Sequence, residues 1–132
     1  MSEQNLESVR RGIELFNAGD AAGFAELATE DFVWVPALPG AVTGGRYVGR
    51  DGIDRYFSEV AETWERLAVE CDQLRDTDDV VVLLGRAVGR GVGSGADVET
   101  PFGFVAKFRG ARLAAVDAFL DYGETLSAAG LA

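Results

Sequence analysis

Histidine is missing from all 132 residues. Its absence removes the imidazole on which Ser-His-Asp and Cys-His mechanisms depend, and His-liganded zinc with it. Cysteine occurs once, at Cys71, so no disulfide can form within the chain. A lone cysteine on an alternating strand, with no basic neighbour, reads as a small buried hydrophobe rather than a nucleophile. It also fits a reducing cytoplasm. Lysine occurs once as well, at Lys107, and every other basic residue is arginine. That bias hints at a GC-rich bacterial genome. Basic residues number 12 against 22 acidic ones, a net charge of −10. This balance argues against nucleic acid and anionic membrane as partners, because both need a positive face. Long hydrophobic runs are absent too. The longest aliphatic stretch, Val80 to Leu84, is far short of the ~18 residues that span a bilayer. The start, Met1-Ser2-Glu3-Gln4-Asn5-Leu6-Glu7, carries acid where a signal peptide needs base.

What is present reads as one globular domain over residues 1–132, 48% hydrophobic and 26% charged. A chain of this length buries roughly two thirds of its unfolded surface, enough for a real core. Leu6, Val9, Ile13 and Phe16 fall on one helical face. Gly19 stops that helix and Asp20 caps a second, which turns Phe24 and Leu27 inward. Asp31 to Val35 reads as a strand, and Pro36 to Gly49 as a loop. Asp51 caps a third helix with Ile53, Tyr56, Phe57, Val60 and Trp64 on its face. From Leu67 the period changes to two. Strands follow, with turns at Asp76–Asp79, Gly91–Gly95 and Arg109–Gly110. The long strands are Val80–Arg90 and Asp97–Arg109, the last is Arg112–Leu120, and Gly123–Ala129 closes as a short helix. Three helices with one early strand, then an antiparallel meander, make an α+β fold with helices on one side of a curved sheet.

Three motifs dissolve on inspection. Gly91-Val92-Gly93-Ser94-Gly95-Ala96 matches a dinucleotide fingerprint, but a strand follows it where a helix is needed. Asp76, Asp78 and Asp79 lack the glycine and distal glutamate of a calcium loop. Asp97 and Glu99 share a strand face, as paired catalytic carboxylates do, yet on so acidic a chain they read as surface.

The order of elements and several local strings resemble a known superfamily. The strings are Phe16-Asn17-Ala18-Gly19-Asp20, Tyr47-Val48-Gly49-Arg50-Asp51-Gly52-Ile53, Gly89-Arg90-Gly91-Val92-Gly93-Ser94-Gly95 and Leu120-Asp121. The resemblance is to the ketosteroid isomerase and SnoaL-like polyketide cyclase group, with the nuclear transport factor two-like fold. It implies a cone: a curved, antiparallel-rich sheet wrapped around about three N-terminal helices, with an apolar pocket at the wide end. It also implies a homodimer through the outer sheet face, and no cofactor or metal. It does not imply one activity, since isomerases, cyclases, hydrolases and non-enzymes share the cone. Carried over by ungapped matching, the isomerases' helix-1 tyrosine falls on Gly12, their base aspartate on Pro36 and their protonated aspartate on Phe104. The aspartate of the cyclases and epoxide hydrolases falls near Ala118. The hydrolases' arginine falls on Arg86, with its partner aspartate near Val88. One residue of slip would bring Asp117 into the pocket in place of Ala118.

On their own physics, Trp34 shares a strand face with Phe32 and Pro36. Val82, Leu84, Arg86, Val88 and Arg90 share another, and Val98, Thr100, Phe102, Phe104 and Ala106 a third. Turned inward, these faces make an apolar cavity for a small cyclic compound, or else they simply fill the cone. Arg86 then needs a carboxylate partner, a rim position or a ligand. Tyr47 and Tyr56 either donate to a carbonyl or sit in the core, and Asp121 is either catalytic or, at the end of the last strand, the cap of the closing turn or helix. The candidate catalytic residues are Asp117, Arg86 and Tyr56. The candidate pocket residues are Trp34, Tyr47, Leu84, Val88, Phe102, Phe104, Val116, Ala118 and Leu120. The expected function is proton-transfer chemistry on a small apolar compound; the alternative is a non-catalytic binding or dimeric interaction module.

Overall fold

Residues 2–37, 46–77 and 80–131 are described by a computed structural model. Helix α1 (Ser2–Ala18) buries Val9 and Leu15 and half-buries Leu6, Ile13 and Phe16, the face its spacing predicts. Gly19 ends it at φ +72°, a left-handed conformation that costs glycine nothing. Asp20 caps α2 (Ala21–Leu27) by accepting from Gly23 N at 2.9 Å. Strand β1 (Ala28–Val35) begins directly after α2, three residues earlier than expected.

Tyr47–Val48, expected inside a loop, forms a short strand β2 against β1, with Trp34 opposite Tyr47. Pairing buries Tyr47 completely. Helix α3 (Gly49–Thr63) starts without a side-chain cap; Asp51 lies in its first turn, where a carboxylate still favours the helix dipole. The helix ends before Trp64, which opens β3 (Trp64–Asp76) rather than completing the helical face. Asp76 is therefore strand, and the rest of the expected aspartate turn, Asp78–Asp79, lies outside the described residues together with 38–45 of the expected loop. Strands β4 (Val80–Gly91), β5 (Asp97–Arg109) and β6 (Arg112–Phe119) follow the sequence boundaries closely, and α4 (Tyr122–Ala128) closes the chain.

The six strands form one sheet in the order β2-β1-β6-β5-β4-β3. All neighbours are antiparallel except β1 and β6, which run parallel. Helices α1, α2 and α3 fill the concave side. Phe24, Phe32, Trp34, Ile53 and Tyr56 form the centre of the core with Val81, Ala106 and Val116 from the sheet. Fully burying one such side chain contributes about 1.5–3 kcal/mol. Asn17, at the end of α1, clamps the free edge of β3: its Nδ2 donates to Val69 O at 3.1 Å and its Oδ1 accepts from Val69 N at 2.9 Å. This satisfies an edge-strand peptide that would otherwise be unpaired. Helix α4 lies on the opposite, convex side. There Thr125 sits where a side chain at position 103 would go, and Gly103 makes room for it.

Candidate functional site

Strand pairing decides which side chains reach the concave side. Phe104 lies opposite Ala118 on β6 and opposite Leu83 on β4; Ala106 lies opposite Val116 and Val81. These residues therefore share the inner face. Their neighbours in sequence, Val82, Leu84, Arg86 and Val88, pair with Val105, Gly103, Pro101 and Glu99 on the outer face. The expectation that Leu84, Arg86 and Val88 line the pocket does not hold. The run Val80 to Leu84 is apolar on both faces, so its pattern could not choose a side. Leu84 is buried on the convex side, on the same face as Gly103, the residue that α4 covers.

Arg86 sits among three carboxylates. Its Nη2 lies 2.9 Å from Glu70, its Nη1 3.2 Å from Glu99 and its Nε 3.7 Å from Asp72. The Glu99 hydrogen bond foremost, then the Asp72 and Glu70 charges, hold the guanidinium above its ordinary pKa. Asp117 lies opposite Val105 and Val35 and is half-buried on the outer face, the side the matched register assigns it. Leu120 is partly exposed beyond the end of β6. Cys71, expected to be buried, is exposed on edge strand β3, beside a register shift between Cys71 and Gln73.

Under α1, between the helices and the inner sheet face, is a cavity of about 50 Å³. Of the candidate pocket residues, Trp34, Phe102, Phe104, Val116 and Ala118 lie along it, and so does Tyr56, a candidate catalytic residue. Val9, Gly12, Ile13 and Phe16 of α1 add a helical wall, and Pro36 and Ala37 lie beside them. The α1 residues were legible as an inward face; that this face bounds a cavity was not. Tyr47 stays behind the wall. Its ring packs 5.0 Å from Tyr56 and beneath the Arg55 guanidinium, and its hydroxyl donates to Glu59.

Only two lining side chains carry a polar atom, the Tyr56 hydroxyl and the Trp34 indole N–H. Their rings lie 4.7 Å apart, and neither group has a hydrogen-bond partner among the described residues. Burial, with the Tyr47 and Glu59 charges behind it, pushes the Tyr56 phenol well above its ordinary pKa. It is therefore a neutral donor at physiological pH. No carboxylate lines the cavity among the described residues. Segment 38–45, which continues from Ala37, contains no titratable side chain in its sequence. Among the described residues no group of three Asp, Glu or Cys side chains is placed to hold a metal ion. Chemically, the cavity can surround a compact apolar molecule and offer it hydrogen-bond donors. A volume this small holds a few waters or a molecule of a few heavy atoms.

A mostly antiparallel sheet curved around three helices, with an apolar cavity under the first, defines the class of ketosteroid isomerase-like, nuclear transport factor two-like cones. Solved structures agree. A nuclear transport factor two-like protein of unknown function from Burkholderia pseudomallei aligns with a TM-score of 0.80 at 21% identity, over 94% of this chain and 95% of that one. A protein with the ketosteroid isomerase-like fold from Catenulispora acidiphila, in complex with trimethylamine, aligns at 0.76 and 17%, over 96% and 94%. A putative SnoaL-like polyketide cyclase from Shewanella denitrificans aligns at 0.73 and 19%, over 94% of each chain. Within this class, residues 9–116 match the SnoaL-like domain family, and the chain belongs to it. No curated protein sequence matches the chain. Among the described residues no helix is long and apolar enough to cross a membrane.

Proposed function

We propose that the protein binds a small, uncharged, largely apolar molecule that carries a hydrogen-bond acceptor, a carbonyl oxygen for example, and that it does so without a carboxylate base. The observation that carries this is the pairing of an apolar cavity with two donors, Tyr56 and Trp34, that have no partner among the described residues. A guest with an acceptor gains a hydrogen bond there that a pure hydrocarbon cannot make, a net contribution of about 0.5–1.5 kcal/mol, so an acceptor-bearing guest is favoured. Proton abstraction by Asp117 is not part of this reading, because its strand position faces away from the cavity. A cyclic guest would have to displace side chains around a cavity of this size. The partly exposed thiol of Cys71, without a second cysteine, fits a reducing cytoplasm. The homodimer implied by the fold class would use the convex strip around Ala115, Asp117 and Phe119, since α4 already covers the sheet at Gly103. Sedimentation of the wild type against Phe119→Glu tests that assembly: a dimer that becomes a monomer supports it, and a monomeric wild type removes it.

Two probes of similar size test the pocket, xenon and acetone, followed by amide NMR titration. Both are expected to perturb residues around the cavity. Tyr56→Phe keeps the ring and removes the donor; it should leave xenon binding intact and weaken acetone about threefold to tenfold, the worth of one hydrogen bond. Binding of neither probe would overturn the pocket. Equal loss of both, or of neither, in Tyr56→Phe would overturn the donor's role.

A further inference from the structure

Glycine is the least favourable helix-interior residue after proline, yet Gly12 stands in the middle of α1 on its buried face. Glycines persist at buried positions for two backbone reasons: a left-handed φ, or a neighbour too close for a Cβ. Gly19, Gly49, Gly93, Gly95, Gly110 and Gly130 have the first reason. The second holds for Gly52, Gly85, Gly89 and Gly103, where an added Cβ would meet backbone at 3.0 Å or less; at Gly23, Gly91 and Gly123 the near atoms are side-chain ends, of Asp20 and Leu15, of Ser94 and of Asp121. Gly12, the described glycine that lines the cavity, has neither. A Cβ there would meet Phe24 Cε2 at 3.5 Å and Leu27 Cδ1 at 3.8 Å, ordinary contact distances. What the missing side chain does leave open is the cavity wall, which Gly12 lines beside Val9, Ile13 and Phe16.

We infer that Gly12 is the residue that sets the size of guest the cavity accepts. This rests on the ligand-binding reading of that cavity. Alanine is sterically tolerated and favours the helix, so the glycine is retained at a cost to folding, and the return is space. In a cavity of about 50 Å³ one methyl group removes a large share of the room. The effect is graded by guest size, because a filled position excludes the longer guest before the shorter one.

The test uses acetone, butanone and 2-pentanone, which differ by one methylene each, titrated by amide NMR into wild type, Gly12→Ala and Ser8→Ala. Ser8→Ala raises helix propensity on the same helix away from the cavity and controls for stabilisation alone. Gly12→Ala should melt higher than wild type, confirming that it folds, and should lose 2-pentanone by about tenfold while acetone changes little, since a methylene in a closed pocket discriminates on that scale. Xenon, no larger than acetone, should likewise change little in Gly12→Ala. Parallel ketone affinities in wild type and Gly12→Ala, with xenon still bound by both, would overturn the inference and leave the pocket standing. If wild type binds none of the probes, the pocket fails and Gly12's role fails with it.

Discussion

Arg86 and Tyr56 differ in what surrounds them more than in what they are. Arg86 shares its strand alternation, and Tyr56 its helical face, with apolar residues, and both were candidates for chemistry. Arg86 is answered by carboxylates from two adjacent strands, and its charge is spent there. Exposed ion pairs contribute about 0–1 kcal/mol each, so Arg86→Gln should lower stability only slightly and leave xenon and acetone binding unchanged. A loss of binding in that variant, followed by NMR, would place Arg86 in the site after all. Tyr56 has no hydrogen-bond partner among the described residues, which is why it carries the functional reading. A third residue offers a pH handle. The Arg109 guanidinium grips both carboxylate oxygens of Asp31 at 3.1 Å and holds the acid below its ordinary 3.8. A carboxylate whose folded pKa is depressed stabilises fully above the unfolded value and loses that contribution as pH falls through the folded one. Acid unfolding of Asp31→Asn should therefore be less steep below about pH 4 than that of wild type. An unchanged acid limb would show the pair to be too solvated to matter.

At the scale of elements, most of the fold was legible and half of the pocket was. Helices α1 and α3, strands β4 and β5 and the caps at Asp20 and Asp121 announce themselves through period and punctuation. Strand β2 did not, because two residues cannot show a period; its burial comes from pairing with β1 and packing against α3. The inner face of β4 was misassigned for a different reason. Val80 to Leu84 is apolar on both sides, since α4 covers part of the face that an exposed sheet would leave polar. The signal that settles it lies in the hairpin. A turn centred on Gly93 and Ser94 sets Arg90 opposite Asp97, and counting back puts Leu83 opposite Phe104 and Arg86 beside Glu99. Charge pairing across the hairpin thus fixes a face that hydrophobicity leaves open. The cap on α4 gives an element-scale prediction. Asp121 accepts from Glu124 N at 3.0 Å, and a lost N-cap costs about 1 kcal/mol. Asp121→Ala should lower the unfolding free energy by that amount in urea. It should also raise amide exchange in α4 while sparing α1. A uniform change across the chain would mean that α4 does not unfold as a separate unit.

For the molecule as a whole, the charge imbalance sets a balance between two effects of opposite sign. Ten uncompensated negative charges repel one another in the compact state, and net charge of this kind weakens folding through self-repulsion. Against it stand ion pairs such as Arg10–Glu7, Arg11–Glu14, Arg90–Asp97 and Arg109–Asp31, all well exposed. Salt screens both, over a length of about 10 Å at 0.1 M. Exposed pairs contribute little to begin with, whereas the repulsion is summed over the whole surface, so screening should remove more repulsion than attraction. The melting temperature is therefore expected to rise as sodium chloride increases from about 10 mM to about 0.5 M, most of the gain coming before the screening length falls below the spacing of surface charges. Chloride and sulfate matched for ionic strength separate this from salting-out, because screening depends on ionic strength and surface exclusion on the anion. A melting temperature that falls with salt would mean that the Arg86 network, with its three carboxylates on two strands, binds the sheet together more strongly than its exposure allows.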